Sequence, residues 1–82
     1  MINLEITLFY HLRQKAGVSP VFLSVPKDTS IQAVKDILEN EYPRLTTQLD
    51  NVMILKGKEI VLENHILDED ANISFLTPIG GG

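Results

Sequence analysis

Three consecutive glycines, Gly80, Gly81 and Gly82, close the sequence. Lacking Cβ atoms, they bring no side chain that could pack or catalyse, and ordering them costs more conformational entropy than ordering any other residue type. What remains to them is a thin backbone and, at Gly82, an α-carboxylate. Such a segment threads a channel too narrow for other residues and delivers its carboxyl group to a partner's active site. The carboxylate of Gly82 is therefore the expected working group, with Gly80 and Gly81 as its tether.

The other residues offer little chemistry of their own. The sequence has no cysteine, which excludes disulfides, a thiol nucleophile and thiolate metal sites, so any sulfur chemistry uses a borrowed atom. His11 and His65 stand far apart without metal-ligand spacing, and no metal is expected. Asp68, Glu69 and Asp70 lack the alternation and glycine of a calcium loop and read as a solvated turn. Ser24, Ser30 and Ser74 sit in no nucleophile-elbow motif, and the only glycine-rich stretch has no helix behind it to cradle phosphate. Neither a bound cofactor nor intrinsic catalysis is expected.

Composition narrows the partners. Seven basic against eleven acidic residues leave a net charge of −4. That balance argues against nucleic acid and against an anionic membrane surface, and it favours a basic protein partner. Apolar runs such as Val52 to Leu55 are only a few residues long, too short for a spanning helix or a signal peptide, and a cytoplasmic location is expected.

The residues upstream must position the glycines. Ile2, Leu4, Ile6 and Leu8 alternate with Asn3, Glu5 and Thr7, the pattern of a half-buried strand. A basic bend from His11 to Pro20 precedes a second alternation, Val21, Leu23 and Val25, which predicts a hairpin with a long loop. Thr29 or Ser30 can cap a helix, with Gln32 as the capping-box partner of Thr29. Ile31, Val34, Leu38 and Tyr42 then form an apolar stripe, Lys35, Asp36, Glu39 and Asn40 face water, and Pro43 stops the helix. A linking segment, 44–51, leads to a strand at 52–55, a turn at Lys56-Gly57-Lys58 and a brief return over 60–62. The last strand, 73–76, ends before Pro78. Strand hairpin, helix and further strands make an α+β domain, a mixed sheet with one main helix on one face.

The stretch Leu8-Phe9-Tyr10-His11-Leu12-Arg13, the helix opened by Thr29-Ser30-Ile31, the Gly57 turn and the ending Phe75-Leu76-Thr77-Pro78-Ile79-Gly80-Gly81-Gly82 together resemble the MoaD/ThiS-like sulfur carriers. The likeness is strongest to the small subunit of molybdopterin synthase. The resemblance implies a ubiquitin-like β-grasp domain over 1–76 with a flexible tail over 77–82. It also implies two protein partners. A ubiquitin-activating-type (MoeB-like) enzyme uses ATP to adenylate Gly82, a sulfur donor converts the adenylate to a thiocarboxylate, and the MoaE-like large synthase subunit uses that sulfur to build molybdopterin. Activation is needed because an α-carboxylate is anionic at neutral pH, repels nucleophiles and has no good leaving group.

In that fold the first and last strands lie side by side and parallel, so Phe9 and Leu76 fall together on the outward face. With Ile60 and Pro78 they are the expected partner-docking residues at the root of the tail. The glycine tail also serves two other chemistries, conjugation of a ubiquitin-like modifier to lysines through Gly82, and sulfur delivery to thiamin or cysteine synthesis. A β-grasp binding module with an inert tail is the plainest alternative.

Overall fold

The computed structural model describes residues 1–77. The alternating apolar residues at the start form β1 (Ile2–Leu8), followed by a short helix α1 (His11–Ala16) and then by β2 (Val21–Val25). A two-residue strand β3 (Thr29–Ser30) runs directly into the main helix α2 (Ile31–Glu41), which a 3-10 turn at Pro43–Leu45 follows. Strands β4 (Met53–Lys56), β5 (Glu59–Val61), β6 (Ile66–Leu67) and β7 (Ala71–Leu76) complete the order.

Five strands make one sheet in the order β2-β1-β7-β4-β5, and β3 pairs with β6 in a separate two-stranded ribbon. β1 is antiparallel to β2 and parallel to β7, while β4 is antiparallel to both β7 and β5. The parallel pair needs a crossover, and α2 supplies it, laying its apolar stripe on one face of the sheet. This is the mixed sheet with one main helix of the ubiquitin-like β-grasp fold. Ile31, Val34 and Leu38 of α2 are buried with Leu4, Ile6 and Leu8 of β1 and Ile73 and Phe75 of β7 in a single core. Each such side chain removed from water stabilises the fold by about 1.5–3 kcal/mol.

Four sequence expectations are corrected. The segment after β1 is a helix rather than an open loop, because Leu12 is fully buried and Gly17, at φ 83°, supplies the left-handed cap with its N–H donating to the Arg13 carbonyl. The N-cap of α2 is Ser30, whose Oγ accepts from the Ala33 N–H at 3.1 Å; Gln32 donates to Asp36 and forms no capping box. Lys35 lies buried instead of facing water, since its aliphatic stem packs against the core while its ammonium meets Glu63. The linking segment is structural, because Leu45 and Leu49 are fully buried and close the core beneath α2.

Between β4 and β5 the chain reverses in a two-residue turn. Gly57, at φ 60°, takes the first central position and Lys56 pairs with Glu59 across the turn. That is the arrangement of a type II′ hairpin, in which the first central residue must be able to adopt positive φ.

Candidate functional site

The candidate surface lies around the point where β7 hands the chain to its final residues. β7 ends at Leu76, and Thr77 is half-buried. Pro78, Gly80, Gly81 and Gly82 lie outside the described residues, so the expected working carboxylate is assigned no position; Phe9, Ile60 and Leu76 are placed.

Leu8 stands beside Phe75 in the parallel ladder, and the N–H of Phe9 donates to the Phe75 carbonyl at 3.2 Å. The ladder therefore continues one step, setting Phe9 beside Leu76. Parallel neighbours share a face, so both belong to the side of the sheet away from α2. On the other flank of β7, Leu76 pairs with Met53 and Ser74 with Leu55, and Leu55 in turn pairs with Ile60. Two rows result. One runs Phe9, Leu76, Met53, and the next runs Thr7, Ser74, Leu55, Ile60.

The rows form an apolar patch on the open face. Ile60 is 68% exposed and Phe9 36%, Met53 is exposed, and Leu55 and Leu76 are half-buried. Leu62, one residue past β5, is exposed at its border. Met53, Leu55 and Leu62 are missing from the sequence expectation. The continuous run 52–55 hides which residues face outward, but the two-residue turn at Gly57-Lys58 sets the register and with it the facing of Met53 and Leu55.

The margin of the patch carries a backbone outlier. Tyr10 has φ 52° and ψ −125°, a region that disfavours side chains with a Cβ, and its ring lies tilted to that of Phe9 with centroids 6.2 Å apart. The conformation turns the chain sharply out of β1 into α1 and keeps the two aromatic rings at the end of the strand.

The histidines play no part in this surface. His11 is exposed at the start of α1, whereas His65 is half-buried between β5 and β6, where its carbonyl accepts from the Ile31 N–H. Among the described residues no group of three or more His, Cys, Asp or Glu side chains is placed to hold a metal ion, and no helix is long and apolar enough to cross a membrane.

A parallel β1–β7 pair, a helix across one face and a terminal glycine run form a combination that can be compared with known proteins. The sequence matches the ThiS family over residues 6–82. The chain belongs to the ThiS family. The match takes in the end of β1 from Ile6, the main helix, the whole of β7 and the glycine ending. This ThiS-family chain is 24% identical over 81 residues to the molybdopterin synthase sulfur carrier subunit of Arabidopsis thaliana, an alignment covering 99% of this chain and 84% of that protein. Its fold is similar to that of small archaeal modifier protein 1 of Haloferax volcanii, with a TM-score of 0.87 at 20% identity over 96% of this chain and 100% of that one. It is also similar to a chain in the complex of subunits 1 and 2 of the molybdopterin-converting factor of Helicobacter pylori 26695, with a TM-score of 0.69 at 20% identity over 99% and 100% of the two chains.

Proposed function

We propose that the protein is a sulfur carrier for molybdopterin synthesis, with Gly82 as the sulfur-bearing residue. The observation that carries this reading is the position of the apolar patch. Phe9, Leu76, Met53, Leu55 and Ile60 gather where the last strand gives way to the glycine-ended segment. A partner seated there stands next to the segment it has to modify. Membership of the ThiS family and likeness to a molybdopterin synthase sulfur carrier subunit support the same reading.

The chemistry divides between this chain and its partners. The Gly82 carboxylate attacks the α-phosphorus of ATP on a ubiquitin-activating-type enzyme, pyrophosphate leaves, and the acyl-adenylate now carries a good leaving group. With hydrosulfide as the simplest donor, sulfur attacks the acyl carbon, AMP departs and the terminus becomes a thiocarboxylate. That soft nucleophile attacks an acceptor carbon held on a large synthase subunit and displaces a leaving group there. Water then hydrolyses the thioester at its acyl carbon, which leaves the sulfur on the acceptor and returns Gly82 as a carboxylate. The pairing of a small with a large subunit is suggested by the complex of subunits 1 and 2 named for the H. pylori relative. The carrier contributes the acyl group, the thin tether and the docking face.

Intact mass tests the reading. Protein recovered from its own cells under mild, non-reducing conditions is expected to include a fraction in which sulfur replaces one carboxylate oxygen, and hydrolysis removes that fraction. Deleting Gly81 and Gly82, or adding one residue after Gly82, abolishes it. A second reading, conjugation to lysine, comes from the modifier named among the structural relatives. Lysine conjugates through Gly82 with no thiocarboxylate, in cells making molybdenum cofactor, would replace the first reading by the second.

A further inference from the structure

The open face of the sheet has a second half that the apolar rows leave unused. Past Thr7 and Ser74, toward the other ends of β1 and β7, the face sinks into a shallow depression lined by Asn3, Glu5, Phe22, Ser24, Asp70 and Asn72. Phe22 is 70% exposed. It stands directly across the ladder from Glu5, and Glu5 stands beside Asn72 on β7. Asp70 accepts from the Asn3 N–H through Oδ1 at 2.8 Å, which leaves its other oxygen for a further donor. Among the described residues neither Glu5 nor Asp70 has an ion-pair partner.

We infer that this depression is a second anchor for the protein that docks on the apolar rows, and that it takes an arginine side chain of that protein. A guanidinium is flat, stacks on an aromatic face and donates in its plane to carboxylates. Phe22 offers the ring, Glu5 and Asp70 the carboxylates, and the side-chain carbonyl of Asn72 a further acceptor. Charge selects the occupant, since the chain carries −4 overall and none of these lining residues is cationic. Position fits as well. Asn72 and Leu76 are four residues apart on one strand, about 13 Å, so both halves fall inside the roughly 800 Å² that one partner contributes to an ordinary interface. The inference rests on the docking reading to the extent that one partner spans both halves.

The test has a part that needs no partner. The whole protein is followed by two-dimensional NMR while acetyl-Gly-Arg-Gly-amide, or its glutamine counterpart, is added. The arginine peptide alone is expected to shift the backbone amides of Glu5, Phe22 and Asn72, and the shifts are expected to vanish in a Glu5→Gln/Phe22→Ser double variant. Glu5→Gln alone, which keeps the side-chain shape, is expected to weaken them. Equal shifts with both peptides, shifts that survive in the double variant, or none at the solubility limit would overturn the inference. So would concentration-dependent shifts of the same amides without peptide, which would mark a second copy of this chain as the occupant.

The second part measures affinity for the adenylating enzyme. The double variant is expected to bind about fivefold more weakly at low salt, an effect that fades as salt rises. Phe9→Asp is expected to weaken binding at every salt concentration. Loss with Phe9→Asp but none with the double variant overturns the anchor and leaves the docking face standing. Undiminished binding by Phe9→Asp overturns the docking face, and the peptide titration then decides the arginine site by itself.

Discussion

Nζ of Lys35 lies 2.9 Å from Oε1 of Glu63, a contact that ties the middle of α2 to the segment between β5 and β6. Its two ends are unlike. The lysine side chain is 4% exposed and the glutamate 51%, so the four-carbon stem lies in the core while the charges meet near its edge. Nearby, the backbone N–H groups of Ile31 and Gln32 donate to the carbonyls of His65 and Glu63. The start of α2 is therefore held by the same segment that supplies the counter-charge.

Removing one partner differs from removing the charge. Glu63→Ala leaves a largely buried ammonium without its carboxylate and is expected to cost about 1–2 kcal/mol, less than the loss typical of a wholly buried pair because water reaches the glutamate side. Lys35→Met keeps the stem, discards the charge and is expected to stay within about 1 kcal/mol of the parent. Urea unfolding reads both. Because both variants lack the ion pair, a greater loss for Lys35→Met than for Glu63→Ala would show that the ammonium left unpaired by Glu63→Ala costs little and that methionine does not replace the packing of the lysine stem.

The N-terminus of α2 separates two capping schemes. Ser30→Ala removes the oxygen that accepts from the Ala33 N–H and is expected to cost about 1 kcal/mol, while Ser30→Asp restores most of it. Gln32→Ala breaks only an exposed contact to Asp36 and is expected to change stability by less than about 0.5 kcal/mol. A loss at Gln32 of about 1 kcal/mol with little loss at Ser30 in thermal unfolding would instead point to the capping box of Thr29 and Gln32.

Thr47 stands at φ 68°, where a β-branched side chain crowds its own backbone. It is exposed, and its N–H donates to Glu39 Oε1 at 3.3 Å. Thr47→Gly keeps that donor and removes the Cβ, so the melting temperature is expected to rise by the equivalent of about 1 kcal/mol. A fall in melting temperature would show that the entropy gained by the unfolded glycine chain outweighs the relieved strain.

The apolar rows should matter for docking and little for folding. Ile60→Asp, at a residue mostly in water, is expected to change stability by less than about 0.5 kcal/mol, yet to weaken binding to the proposed adenylating enzyme by about tenfold or more. Calorimetric titration with the variant and the parent, together with their unfolding curves, separates the two effects. Parental affinity for the Ile60 variant would confine the docking surface to Phe9, Leu76 and Met53.

The sequence by itself carried the alternation of β1, the apolar stripe of α2, the stop at Pro43 and the glycine ending, because each is written in a local period or in a residue with one steric consequence. Resemblance supplied the parallel pairing of the first and last strands, which no local pattern encodes. Tertiary structure alone decided the rest. Leu12 and Ala16 are only two apolar residues in a basic stretch, too few for a helical period, and their packing against the core is what makes α1. Lys35 reads as a solvated charge until Glu63, 28 positions away, is folded against it. Met53 and Leu55 sit in an unbroken apolar run, where period two is invisible, and only their pairing with Leu76, Ser74 and Ile60 turns them to the open face. Phe22 and Glu5 become one surface in the same way, because a strand ladder joins residues by register and not by closeness in sequence.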